Sequence, residues 1–235
     1  MFYRTDERMD CTDNFSKLLS SVNSVLAGNK AEYKWIIIYL FMFLQGLFII
    51  ALSHGNKYSI IKKHYSKTIN NKKYTIKMDI SSETMDKLFT IKDENNSTII
   101  HTTPLFGTEK SFRELTEELK NIDVNIAENH LKELYKQAKK LLPITELFKK
   151  IEKIVTINEE IKQSFKDLIG IRNDFIHFSP KTWSIEINLV KIVVLHCSEL
   201  SLLLIKSDFI REYEIDKNEM IESLNKIIKG FGQSA

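Results

Sequence analysis

Apolar positions in the first fifty residues follow two different patterns, and the contrast between them sets the reading of the chain. Phe15, Leu18, Leu19, Val22 and Val25 recur at three- and four-residue spacing, which gathers side chains on one stripe of an α-helix. Asp13 and Asn14 stand where an N-cap is expected, and Gly28 where such a helix would stop. The run at 35–53 has no such period. It reads WIIIYLFMFLQGLFIIALS, carries no formal charge and is long enough to span a bilayer. Gln45 and Gly46 lie at its centre, where a lone amide would be costly in lipid. Lysines flank both ends (Lys30 and Lys34, then Lys57, Lys62 and Lys63), so the asymmetry that orients a membrane helix is missing. A helix apolar on all sides over about 32–53, buried at the centre of a bundle, is therefore expected. Gln45 would hydrogen-bond inside that bundle or support a cleft. A protein anchored in a membrane through 35–53 is the alternative.

The pattern then changes. Residues 56–106 are polar and lean towards β-structure, and 88–91 and 97–100 flank Asp93-Glu94-Asn95-Asn96 as the two arms of a β-hairpin would. This stretch reads as an insertion within a single domain covering 1–235. Helical spacing returns with a capping box at Ser111 and Glu114, and with a helix over 125–142 broken by Pro143. Further helices are expected over 146–155, 159–178, 184–206 and 216–228, with Pro180 turning the chain after Ser179. The fold class is mainly α, a helical bundle with a small β-hairpin-containing insertion.

Composition supports this picture. A chain of 235 residues with 43% hydrophobic content can bury a sizeable core, and 7 Gly and 3 Pro leave little material for tight turns. The net charge of +3 is too small to announce a nucleic-acid partner by itself. Cys11 and Cys197 have no second thiol nearby, which argues against a disulfide framework and for a reducing, cytoplasmic setting. The first eleven residues are polar and lack the apolar run of a signal peptide. Charge matters locally. No Asp or Glu occurs over 33–78, where Lys62, Lys63, Lys67, Lys72 and Lys73 alternate with Tyr58, Tyr65 and Tyr74. Cations for phosphates beside aromatics for bases would make an RNA-binding surface, although a solvated lysine-rich face has the same composition.

The candidate chemistry lies in Arg172-Asn173-Asp174-Phe175-Ile176-His177. An imidazole can take a proton from a ribose 2′-OH or give one to a departing 5′-oxygen. A guanidinium matches phosphate oxygens and can stabilise charge in the transition state, while Asn173 can orient either group. The substrate carries its own nucleophile, so the reaction calls for no metal and no cofactor. The products would carry 2′,3′-cyclic phosphate and 5′-hydroxyl ends. Asn173 and His177 share a helix face, but Arg172 and His177 are about 140° apart on an ideal helix. A working pair therefore requires a swung arginine, a loosened helix end or a second subunit. The bland alternative is a hydrogen-bonded helix end with a satisfied boundary histidine.

The Arg-x4-His spacing with Asn after the Arg resembles the motif of the HEPN superfamily, which includes toxin and antiviral ribonucleases. The longer string IGIRNDFIHFSPKTWSIE at 169–186 is similar to a plasmid- and defence-related bacterial subgroup, as is the glutamine-containing YLFMFLQGLFIIALSHG at 39–55. The resemblance covers these two blocks. It implies an all-helical homodimer with a composite active cleft, Arg172, Asn173 and His177 as site residues, RNA as substrate, and an antitoxin or defence-system partner. A non-catalytic module that binds RNA or protein is the alternative within this family. Members paired with nucleotidyltransferase antitoxins have Tyr two residues after the His. Ser179 stands there in this chain, so control by modification of that tyrosine is not implied.

Overall fold

The computed structural model describes residues 6–53, 60, 64–69, 72–80, 87–92, 97–102, 141–176, 186–211 and 215–232, with the strands described by their backbone. The described residues are mainly helical. Six α-helices are present among them: α1 (Glu7–Leu26), α2 (Tyr33–Ser53), α3 (Ile144–Ile151), α4 (Glu159–Ile176), α5 (Ile187–Lys206) and α6 (Lys217–Gly232). The chain divides into two compact units, one formed by Met1–Asn56 with Ile144–Ala235 and the other by Lys57–Pro143.

All six helices belong to the first unit. α1 begins seven residues earlier than the Asp13 cap would place it. Asp6 is the N-cap, and its carboxylate accepts from the backbone N–H groups of Arg8 and Met9. Asp13 instead pairs with Lys17 one turn on, and Asn14 donates to the Asp10 carbonyl at 2.7 Å. The extra turns bring Cys11 into the core. At the other end Gly28, at φ +102, donates to the Val25 carbonyl while Asn29 donates to that of Ser24. These paired bonds close the helix in a Schellman motif that needs a residue able to adopt positive φ. Side-chain caps also start α4 and α6, where Asn158 accepts from Ile161 N–H and Asp216 from Glu219 N–H.

α2 is the organising element, packing against α1, α3, α4 and α5. Phe43 meets Phe15 of α1 with ring centroids 4.7 Å apart. Further along, Phe48 joins Phe148 of α3 and Phe165 of α4, and those two stack at 4.1 Å. At Gly46 the backbones of α1 and α2 come so close that a Cβ would stand 2.9 Å from that of Cys11. Among the described residues these four neighbours leave one stripe of α2 partly exposed, which corrects the expectation of burial on all sides. Trp35 and Met42 are 43% and 44% exposed, and Ile38, Tyr39, Gln45, Ile49 and Leu52 are half-exposed along the same stripe. Gln45 is thus a surface-facing residue, and no described group hydrogen-bonds to it.

α3 is shorter than its periodicity suggests. It follows directly on Pro143 and stops at Ile151, because Ile154, Val155, Thr156 and Ile157 form a β-branched run that disfavours helix. Helices α4 and α5 are tied by the Ser164 hydroxyl and His196 Nδ1 at 2.8 Å. α6 presents Met220, Leu224, Ile227 and Phe231 as a single buried stripe.

In the second unit, strands β1 (His64–Ile69), β2 (Lys72–Ile80), β3 (Lys87–Lys92) and β4 (Ser97–Thr102) form an antiparallel sheet in sequence order. The arms read as a hairpin from the sequence are β3 and β4, paired with Phe89 opposite Ile100. Ile60 accepts a backbone hydrogen bond from Leu142 at 2.8 Å, so the two ends of this unit meet. The helices expected over 111–119 and 125–142 lie outside the described residues, apart from the last two positions of the second.

Candidate functional site

Arg172 occupies the last turns of α4, on a helix whose other face is locked into the core by Ile161, Phe165 and Leu168. Its guanidinium carbon lies 4.5 Å from the centroid of the Phe41 ring on α2. Phe41 is buried, so the cation rests against a rigid aromatic face, a contact worth about 0.5–2 kcal/mol depending on desolvation. Nη1 donates to Asn173 Oδ1 at 3.1 Å, which orients the plane of the guanidinium. The arginine is half-buried, yet no carboxylate lies within ion-pairing distance of it among the described residues. Asn173 and Asp174 are exposed. His177, Ser179 and Trp183 lie outside the described residues.

The cluster extends to residues that sequence reasoning did not single out. Lys34 Nζ stands 5.8 Å from the ring of Phe175 and 5.7 Å from that of Trp35. Trp35 stacks on Tyr39, one turn along, with centroids 5.9 Å apart and planes 22° from parallel. The C-terminal turns of α4 and the N-terminal half of α2 thus converge on two cations and four aromatic rings. A tryptophan and a tyrosine at i,i+4, directly after Lys34, was the available signal. It was hidden because the whole 35–53 run was read as core.

Comparison of the chain with family models, curated proteins and solved structures finds no match.

The lysine-rich stretch is described only in part. Lys62 and Lys63 lie outside the described residues. Lys67 is opposite Tyr74, Lys72 opposite Ile69, and Lys73 opposite Thr68. Because cross-strand partners share a face, this register puts Lys67 and Lys72 with Tyr65 and Tyr74 on one side of the sheet. Lys73 and Lys77 belong to the other.

Other reactive groups are committed to the core. Burial pushes the Cys11 thiol up to about 12, and its Sγ donates to the Phe43 carbonyl. The Cys197 thiol is pushed up as well, by burial first and then by the Asp167 carboxylate. Neither is a thiolate at neutral pH, which removes both as nucleophiles. Among the described residues no group of three or more His, Cys, Asp and Glu side chains is placed to hold a metal ion.

Proposed function

We propose that the chain is a metal-independent endoribonuclease of the HEPN type, acting in the cytoplasm as a toxin or in defence against phage. The observation that carries this reading is Arg172, a half-buried cation fixed by Phe41 and Asn173 without a carboxylate partner among the described residues. Charged groups withdrawn from water are normally paired. A guanidinium has five N–H donors, and only one is directed at Asn173, so a phosphate is the natural complement.

In this mechanism the 2′-oxygen attacks the adjacent phosphorus and the bond to the 5′-oxygen breaks. His177 accepts the 2′-OH proton or protonates the departing 5′-oxygen, while Arg172 neutralises the charge that builds on the non-bridging oxygens. Asn173 restricts the swing of the guanidinium. The 140° separation of Arg172 and His177 on an ideal helix makes a composite site in a homodimer part of the proposal.

The test is cleavage of single-stranded RNA by the full chain in EDTA, with end-group analysis of the products. Cyclic-phosphate and 5′-hydroxyl ends are expected, with activity lost in both Arg172→Ala and His177→Ala. Arg172→Lys should not restore it, because an ammonium lacks the planar fork. Full activity in His177→Ala would sink the mechanism, and RNA binding without cleavage would favour the non-catalytic module.

A membrane-associated reading has one observation in its favour, the partly exposed apolar stripe of α2. By length and composition α2 with the residues just before it, and α5, could each cross a bilayer, with mean hydropathies of 2.4 and 1.7. Both also supply core residues to the helical unit, which a soluble fold requires. Recovery of the protein only with detergent would reverse that preference.

A further inference from the structure

Beside the Arg172 cluster, a cleft of about 260 Å³ opens between α1 and α2, lined by Lys17, Ser20, Ser21, Glu32, Trp35 and Tyr39. It is smaller than sites for drug-sized ligands, and its size suits a single ring system. One wall is the stacked Trp35–Tyr39 pair, and Trp35 presents 43% of its surface to solvent. An exposed tryptophan stacked on a second ring is an ordered platform, which reduces the entropy lost when a third ring stacks on it. Glu32 lies in the same cleft. The Ser21 hydroxyl donates to its Oε2 at 2.9 Å, and no described group donates to Oε1. The carboxylate is therefore oriented, acceptor-only, and available along one edge. Lys34 links the cleft to the motif, since its ammonium is within 6 Å of both Trp35 and Phe175.

We propose that this cleft is a nucleobase subsite, in which a guanine of single-stranded RNA stacks on Trp35 and donates its N1–H and N2–H to the Glu32 carboxylate. The choice of base follows from the donors. A carboxylate wants two adjacent N–H groups, and only the Watson–Crick edge of guanine offers them side by side. Adenine and cytosine place a ring nitrogen lone pair beside their amino group, and uracil flanks its single N–H with carbonyl oxygens, so each meets the carboxylate with repulsion. Stacking supplies affinity without selecting a base, while Glu32 supplies the selection. Lys34 takes the phosphate of the bound nucleotide, and Arg172 lies further along the same cluster. The inference deepens the ribonuclease reading and rests on it for the choice of RNA as ligand.

The test uses uncleavable 2′-O-methyl tetranucleotides, so that binding is read whether or not the protein cuts RNA. The chain has two tryptophans, and in a Trp183→Phe background fluorescence reports Trp35 alone. UUGU is expected to quench that fluorescence and to bind roughly tenfold or more tightly than UUUU, UUAU or UUCU. Glu32→Gln should abolish the preference for UUGU while leaving stacking in place. In the Trp183→Phe/Trp35→Phe double variant, followed by fluorescence anisotropy of labelled tetranucleotides, binding should be largely kept, whereas Trp183→Phe/Trp35→Ala should lose about tenfold. Unaltered circular dichroism and thermal midpoint would show that each variant remains folded. Equal binding of all four tetranucleotides, an unchanged preference in Glu32→Gln, or no loss in the Trp35→Ala variant overturns the subsite. Failure of the full chain to cleave RNA in EDTA overturns the nuclease reading instead, and guanine-selective quenching by UUGU survives that result.

Discussion

Arg172 and Gly46 show how far a single residue's meaning depends on its neighbour across a helix pair. At Gly46 an added methyl would meet Cys11 Cβ at 2.9 Å, Sγ at 3.1 Å and Cα at 3.3 Å. The last is backbone, so the clash cannot be relieved by a rotamer. Gly46→Ala should cost about 1–3 kcal/mol of stability, despite the helix propensity of alanine. Gly170, inside α4, has open space where its Cβ would be, and Gly170→Ala should add about 0.5–1 kcal/mol. Urea unfolding of the two variants reads these opposite signs directly. The sequence placed both glycines in helices and gave no means of telling them apart, because the difference lies in what α1 brings to α2.

Cys11 yields a second expectation on the same scale. Its thiol is raised from 9.0 to about 12 because burial disfavours the thiolate. Below pH 9 the thiol is protonated in both folded and unfolded chains and contributes nothing to the pH dependence. Between about 9 and 12 only the unfolded chain releases the proton, so stability falls as pH rises through that window. Denaturant midpoints measured from pH 8 to 11 should decline, with a shallower decline in Cys11→Ser. At pH 8 the native protein should resist thiol alkylation at both cysteines and take two labels only when unfolded.

Among the elements, α2 carries the most weight and was the hardest to read. Periodicity located α1, α4 and α6 because each has a polar face, and the Asn158 and Asp216 caps mark two starts. A helix without a polar face offers no such contrast. Its apolar stripe from Trp35 to Leu52 could be identified as surface only once the packing of α1, α3, α4 and α5 was known. The motif at 172–177 was legible as a string, whereas Phe41, Lys34 and Trp35 were not, since they join it from more than 130 positions away. The packing itself makes a prediction. Phe165 is 1% exposed, stacks on Phe148 and touches Phe48, thereby joining α2, α3 and α4. Phe165→Ala should cost about 3–5 kcal/mol and broaden or abolish cooperative thermal unfolding. Phe165→Leu, which retains most of the volume, should cost less than half as much.

For the whole molecule, the informative feature is that the helical unit is assembled from two stretches separated by Lys57–Pro143. The helices described against α2 all belong to its own unit, and the buried residues of the six helices supply that unit with a core. Replacing 57–143 with a flexible Gly/Ser linker should leave a helical protein that unfolds cooperatively. A molten product, with helical circular dichroism but no thermal transition, would show that the intervening unit is structurally required.

That same arrangement shapes how the chain is born. α1 and α2 leave the ribosome before α3, α4 and α5, which follow only after 57–143 has been made. At about 5–20 residues per second that interval lasts on the order of ten seconds. For its duration α3, α4 and α5 cannot yet shelter a nascent segment whose mean hydropathy matches a membrane span. Synthesis thus exposes the segment to both chaperones and targeting factors before its permanent neighbours exist, and the rate at which 57–143 is translated becomes a determinant of its fate.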